Sequence, residues 1–196
     1  MRLLVFGDSF VNGIGDPDHL GWVGRAVRGV RDLTLYNLGV RRETSRDIRA
    51  RWRAEALARL TDDEPCALVF TYGANDCHVE DGQTAPRIAA ERVLENTDAI
   101  LTEARSLAPC LMVGPPPTAN LDARARLTTL NPRLAEVATR ASVPYLDLLK
   151  RRSELGVWIR EAGEWDGAHP GAEGHQQLAD LVGRWQPWRE MILGAA

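Results

Sequence analysis

Short runs of consecutive apolar residues alternate along the chain with longer stretches in which apolar positions recur at helical spacing. Residues 2–6, 34–37, 67–71, 110–113 and 143–146 are short, apolar and bounded by turn residues, the pattern of strands buried on both faces. Between them, residues 44–60, 86–107, 121–141 and 172 to about 185 are amphipathic. In the second of these stretches Ile88, Val93, Leu94, Thr97, Ile100 and Leu101 share one face, with Glu91, Arg92, Glu95 and Glu103 opposite. Thr44 suits an N-cap for the first stretch, and Pro86 suits the first turn of the second.

Strands joined through helices of this length require crossover connections, so the expected architecture is a parallel sheet covered on both faces. With no linker, repeat or low-complexity tract, residues 1–196 read as one doubly wound domain. In such sheets ligands bind beyond the carboxyl ends of the strands. Polar and glycine residues gather at those ends: Gly7-Asp8-Ser9, Asn37-Leu38-Gly39, Gly73-Ala74-Asn75-Asp76 and Gly114-Pro115-Pro116-Pro117.

Composition narrows the classes of function. A formal charge of -3 supplies no basic field to draw nucleic acid or anionic lipid. No segment reaches the roughly 20 consecutive apolar residues that a membrane-spanning helix needs. The apolar run before Gly7 is shorter than a signal-peptide core and leads straight into the Gly-Asp-Ser turn, so a cytoplasmic protein is expected. Cys66, Cys77 and Cys110 form neither a disulfide framework nor a zinc pattern. His19, His78 and His175 have no ligand-spaced partners and read as ordinary surface or cap residues.

The chemistry lies on the strand ends. Ser9 follows a buried strand and a glycine, which places its hydroxyl on an exposed turn. By itself Asp8-Ser9 reads as turn chemistry or a helix cap. Asp166-Gly167-Ala168-His169-Pro170 adds a carboxylate three residues before a histidine on one loop. That carboxylate can bond the ring's Nδ1–H and leave Nε2 free as a general base. Gly39 offers a backbone N–H unobstructed by a Cβ, and Asn75 a side-chain amide; either can donate to an oxyanion. There is no Gly-x-Ser-x-Gly elbow and no phosphate-binding loop, and Gly13-Ile14-Gly15 lacks the third glycine of a dinucleotide fingerprint.

Together these blocks resemble the GDSL, or SGNH, hydrolase family, named for a Ser, Gly, Asn and His carried in four separated segments. The resemblance runs from about residue 2 to 185. It implies a flavodoxin-like three-layer α/β/α sandwich with strand order 2-1-3-4-5, and no metal or organic cofactor. It implies Ser9 as nucleophile, His169 as base, Asp166 as the carboxylate that orients it, and an oxyanion hole of Ser9, Gly39 and Asn75. One departure is Phe10, where the family commonly carries an aliphatic residue.

The expected substrate is a small or short-chain acyl ester. Phe10, Val40, Pro115 and Trp165 would supply walls, and no long apolar stretch suits a lipid tail. An acyltransferase or sugar deacetylase using the same serine is the alternative, and a binding module that keeps only the fold is a third reading. Oligomeric state is not readable from the sequence.

Overall fold

A computed structural model describes residues 1–194. Its elements run β1 (Arg2–Gly7), α1 (Ser9–Asn12), α2 (Gly21–Ala26), β2 (Thr34–Gly39), α3 (Ser45–Leu57), β3 (Cys66–Thr71) and α4 (Ala90–Leu107), then β4 (Cys110–Val113), α5 (Leu121–Arg140), β5 (Tyr145–Leu146), α6 (Gly156–Glu164), α7 (Ala172–Arg184) and α8 (Gln186–Leu193). The five strands pair in parallel in the order β2-β1-β3-β4-β5. This is the flavodoxin-like order that the resemblance implies.

Alternation along each strand divides the interior into two layers. Leu3, Val5, Val69, Leu111 and Val113 face Trp22, Trp158, Leu178, Val182 and Trp188 from α2, α6, α7 and α8. Leu4, Phe6, Leu68, Phe70 and Met112 face Ile48, Trp52, Val93, Ile100 and Leu127 from α3, α4 and α5. Burial on both faces explains why the strands read as unbroken apolar runs. Each fully buried side chain of this size contributes roughly 1.5–3 kcal/mol relative to exposure.

The long helices start close to where the periodicity puts them, with one instructive exception. Thr44 caps α3, and the Asp47 carboxylate accepts from its N–H at 2.9 Å and its hydroxyl at 2.6 Å. Pro86, by contrast, does not open α4, which starts four residues later at Ala90. Arg87 N–H donates to His78 O and Ile88 N–H to Asp76 O, so this stretch is tied back onto the loop after β3 instead of coiling. Strand β5 is shorter than expected because only Tyr145 and Leu146 find partners, opposite Met112 and Val113.

Register fixes the functional rim. Gly7 pairs with Gly39 on one side and Thr71 on the other, so β1, β2 and β3 end level. The turns that follow therefore emerge side by side, bringing residues near 9, 40 and 75 to one edge of the sheet.

Candidate active site

Ser9 is the first residue of α1, and the Asp8 side chain caps that short helix by accepting from Phe10 N–H at 3.0 Å. The serine is 4% exposed, and its Oγ lies 2.7 Å from His169 Nε2. On the far side of the ring, His169 Nδ1 lies 2.6 Å from Asp166 Oδ2. The other carboxylate oxygen, Oδ1, accepts from Ala168 N–H at 2.9 Å and His169 N–H at 2.8 Å. Partial burial works against the Asp166 charge, but these amides and the imidazole hold its carboxyl below the ordinary range. With an ionised acceptor at Nδ1 the ring proton belongs there, leaving the Nε2 lone pair aimed at the serine hydroxyl. Phe10 and Trp165 flank the imidazole, with ring centroids 5.4 and 6.0 Å from it.

Asn75 reaches the same rim from the turn after β3. Its Nδ2 donates to Glu43 O at 2.9 Å and to Asp8 Oδ2 at 3.3 Å, which engages both amide hydrogens. Beneath it, the buried Asp76 carboxylate accepts from Ser45 N–H and, at 2.6 Å, from the Ser45 hydroxyl. Asn96 in turn donates to Ser45 Oγ at 2.9 Å. This network fixes the Asn75 turn against the start of α3. Among the described residues no cation contacts Asp8, and burial pushes its carboxyl up to about 7, with Asp76 and Glu43 adding to the effect.

A cavity of about 480 Å³ opens over these groups. Ser9, Asn75, Asp166 and His169 line it together with Phe10, so five of the residues expected at the site converge on one space. Others fall elsewhere. Gly39 does not reach the wall: its N–H donates to Asn37 Oδ1 at 3.1 Å, and a Cβ there would lie 2.2 Å from Asn12 N. Close packing under α1 accounts for this glycine. Pro115 is buried against Gly73, and Val40 is 44% exposed outside the cavity wall. Trp165, 61% exposed, lines a neighbouring groove and not the cavity wall.

The structure adds wall residues that strand-end reasoning passes over: His78, Thr118, Ala119, Asn120 and Ala123. Gly167 O stitches two of them to the histidine loop, accepting from the Thr118 hydroxyl and the Ala119 N–H, each at 3.1 Å. Asn120 caps α5 by accepting from Ala123 N–H, the one local signal that marks this wall. His175 is corrected outright. Far from being a surface or cap residue it is fully buried, accepting from Trp22 N–H at Nδ1 and donating to Ile14 O from Nε2, each at 3.1 Å. Cys77, two residues after Asn75, is buried and lines a separate pocket, and burial pushes its thiol up to about 12.

A hydroxyl, an imidazole and a carboxylate in line can generate an alkoxide-like nucleophile without a metal, and a nearby amide can stabilise the charge that develops on a carbonyl oxygen. Comparison with known proteins points the same way. Residues 5–177 match the GDSL-like Lipase/Acylhydrolase family. Among solved structures, an acetylxylan esterase from Geobacillus stearothermophilus superposes with a TM-score of 0.73 at 18% identity, covering 97% of this chain and 93% of that one. A lipolytic protein of the G-D-S-L family from Veillonella parvula superposes with a TM-score of 0.72 at 17% identity, covering 92% of this chain and 94% of that one. At these identities the superpositions establish the fold. No curated protein sequence matches the chain. The match over residues 5–177 nevertheless settles the family: this chain is a carboxylic ester hydrolase of the GDSL-like lipase/acylhydrolase family.

Proposed function

We propose that the protein hydrolyses small or short-chain acyl esters through an acyl-enzyme on Ser9. The observation that carries this reading is the continuous line from Ser9 Oγ through His169 to Asp166, with contacts of 2.7 and 2.6 Å, opening on the cavity. His169 Nε2 takes the Ser9 proton as Oγ attacks the ester carbonyl. The carbonyl oxygen becomes an oxyanion, and Asp166 stabilises the imidazolium. His169 then returns the proton to the departing alkoxide, the C–O bond breaks, and the acyl group remains on Ser9. Water, deprotonated by the same imidazole, releases the acid and restores the serine.

Two donors serve the oxyanion in this reading. The Ser9 N–H has no acceptor among the described residues. Asn75 Nδ2 contributes the hydrogen now directed at Asp8, the longer of its two bonds. An Asp8 carboxyl raised to about 7 is partly protonated near neutrality, which weakens its competition for that hydrogen. Gly39, its N–H held by Asn37, supports α1 from below. Asn75→Ala should lower kcat by roughly 10²–10³.

The cavity wall supports a short acyl chain. Ala74, Ala119, Ala123 and Ala168 are its alanine positions, while His78, Thr118 and Asn120 bring polar groups to it. A long alkyl chain would strip water from those groups without pairing them, at a cost of about 1–3 kcal/mol each. A series of p-nitrophenyl esters from two to twelve carbons tests this. The expected result is a steep fall in kcat/KM beyond about four carbons; a maximum at eight or more would contradict it.

A further inference from the structure

A second pocket, of about 230 Å³, is formed by the first turn of α4, the middle of α5 and the segment that joins β3 to α4. No residue lines both this pocket and the cavity over Ser9. We propose that it binds a short-chain monocarboxylate, with the alkyl tail inward and the carboxylate on Arg126. The reading goes beyond the ester hydrolysis above and does not depend on it.

Two helices and one stretch that does not coil build the pocket. On α5, Arg126, Thr129, Leu130 and Arg133 recur at helical spacing and so share one face. Ala90 and Val93 line it from the first turn of α4. Pro86 and Ile88 add a third wall, kept out of helix by the bonds from Arg87 N–H to His78 O and Ile88 N–H to Asp76 O. Cys77, Ile88, Val93 and Leu130 are buried, so the floor is apolar. The more exposed Arg126, Thr129 and Arg133 bring the polar groups, and these stand at the rim.

The charge on that rim is only partly matched. Arg133 pairs with Glu91 at 3.2 Å. Arg126 has no ion-pair partner among the described residues; its Nη1 donates to the neutral Cys77 carbonyl at 3.2 Å. That bond holds the guanidinium beside the apolar floor, because Cys77 belongs to the floor. Most of the five N–H donors of its fork remain free for an acceptor.

Size and chemistry then select the occupant. The volume holds roughly eight groups of water size at about 30 Å³ each, less than the roughly 300 Å³ at which drug-sized sites begin. A carboxylate can take two donors of the guanidinium fork at once while its tail covers the floor. An alkanol of the same length offers the fork only one neutral oxygen. An alkylammonium ion brings a like charge, and a bare inorganic anion leaves the floor in water. The pocket and the cavity over Ser9 are lined by neighbours in the chain. Cys77 lines the pocket and His78 the cavity; Ala123 lines the cavity and Arg126, one turn later on α5, the pocket.

NMR of protein labelled at its isoleucine, leucine and valine methyl groups tests the assignment, because none of these residue types lines the cavity over Ser9. At neutral pH hexanoate should shift the Ile88, Val93 and Leu130 methyl signals saturably below about 20 mM, with NOEs from its chain to the same methyls. Hexan-1-ol should bind there at least about tenfold more weakly. Arg126→Gln should lower the affinity for hexanoate to that for hexan-1-ol and leave the latter unchanged. No shift at these three residues, or equal affinity for the acid and the alcohol in the wild type, would overturn the site, and this comparison needs no variant. Hexanoate binding undiminished in Arg126→Gln would overturn the place given to the carboxylate. None of these results bears on Ser9, so the esterase reading stands or falls separately.

Discussion

His169 and His175 stand six residues apart at the start of the same helical region, and the fold gives them opposite jobs. Each ring uses both nitrogens. His169 meets a carboxylate at Nδ1 and a hydroxyl at Nε2, and it borders a cavity. His175 meets only backbone, accepting from Trp22 N–H at Nδ1 and donating to Ile14 O from Nε2, with Trp158 packed edge-on at 5.3 Å. These partners force the protons onto different nitrogens: Nδ1 in His169, Nε2 in His175. A carboxylate behind Nδ1 stabilises an imidazolium when Nε2 accepts a proton. A backbone N–H aimed at Nδ1 resists one, and burial pushes the His175 ring below its ordinary range. One imidazole is built to change its charge, the other to keep it.

Substitutions separate the two roles. The largest effect should come from His169→Ala, which should lower kcat by about 10⁴ or more with little change in thermal stability. Asp166→Asn should fall close behind, since an amide at that position lets the ring choose the wrong tautomer. Ester hydrolysis and melting curves on the same samples check both halves of this statement. His175→Ala should behave in reverse. It strands the Trp22 N–H and the Ile14 carbonyl in the interior and should cost roughly 2–4 kcal/mol of stability. The folded fraction should keep its triad, so activity per folded molecule should fall much less than in His169→Ala.

The smallest effect is a pH slope. Because the folded His175 pKa lies below its unfolded value near 6.5, the unfolded chain binds more protons as pH falls through 6.5, and stability is lost on that side. Asp8 acts in the opposite sense. Its folded pKa of about 7 lies above the ordinary 3.8, so its protonation favours the folded state, and that stabilisation is lost as pH rises through this window. Asp8→Asn removes the opposing slope. Melting temperatures between pH 7 and 5 should then drop more steeply on acidification in the variant than in the wild type. Parallel profiles would contradict the Asp8 assignment.

The same pair marks where sequence reasoning reaches and where it stops. Asp166 and His169 are three residues apart on one loop, so their relation is local and visible in the sequence. Ser9 and Asn75 sit in the turns after strands whose apolar runs are unmistakable, and the topology carries them to one rim. The partners of His175 are 153 and 161 residues away, and nothing local announces them. Gly39 illustrates the converse: its place after β2 was legible, but the direction of its N–H depends on the Asn37 side chain and its lack of a side chain on Asn12. The short helices α1, α2, α6 and α8 were likewise absent from the pattern, because four to nine residues give too few repeats for a period to emerge.

The central claim is that Ser9 is made nucleophilic by His169. Labelling the folded protein with a fluorophosphonate, followed by mass spectrometry of its peptides, addresses it directly. The account predicts a single adduct on Ser9 that persists in His175→Ala and nearly disappears in His169→Ala. An adduct on another residue, or Ser9 labelling that is undiminished without His169, would contradict it.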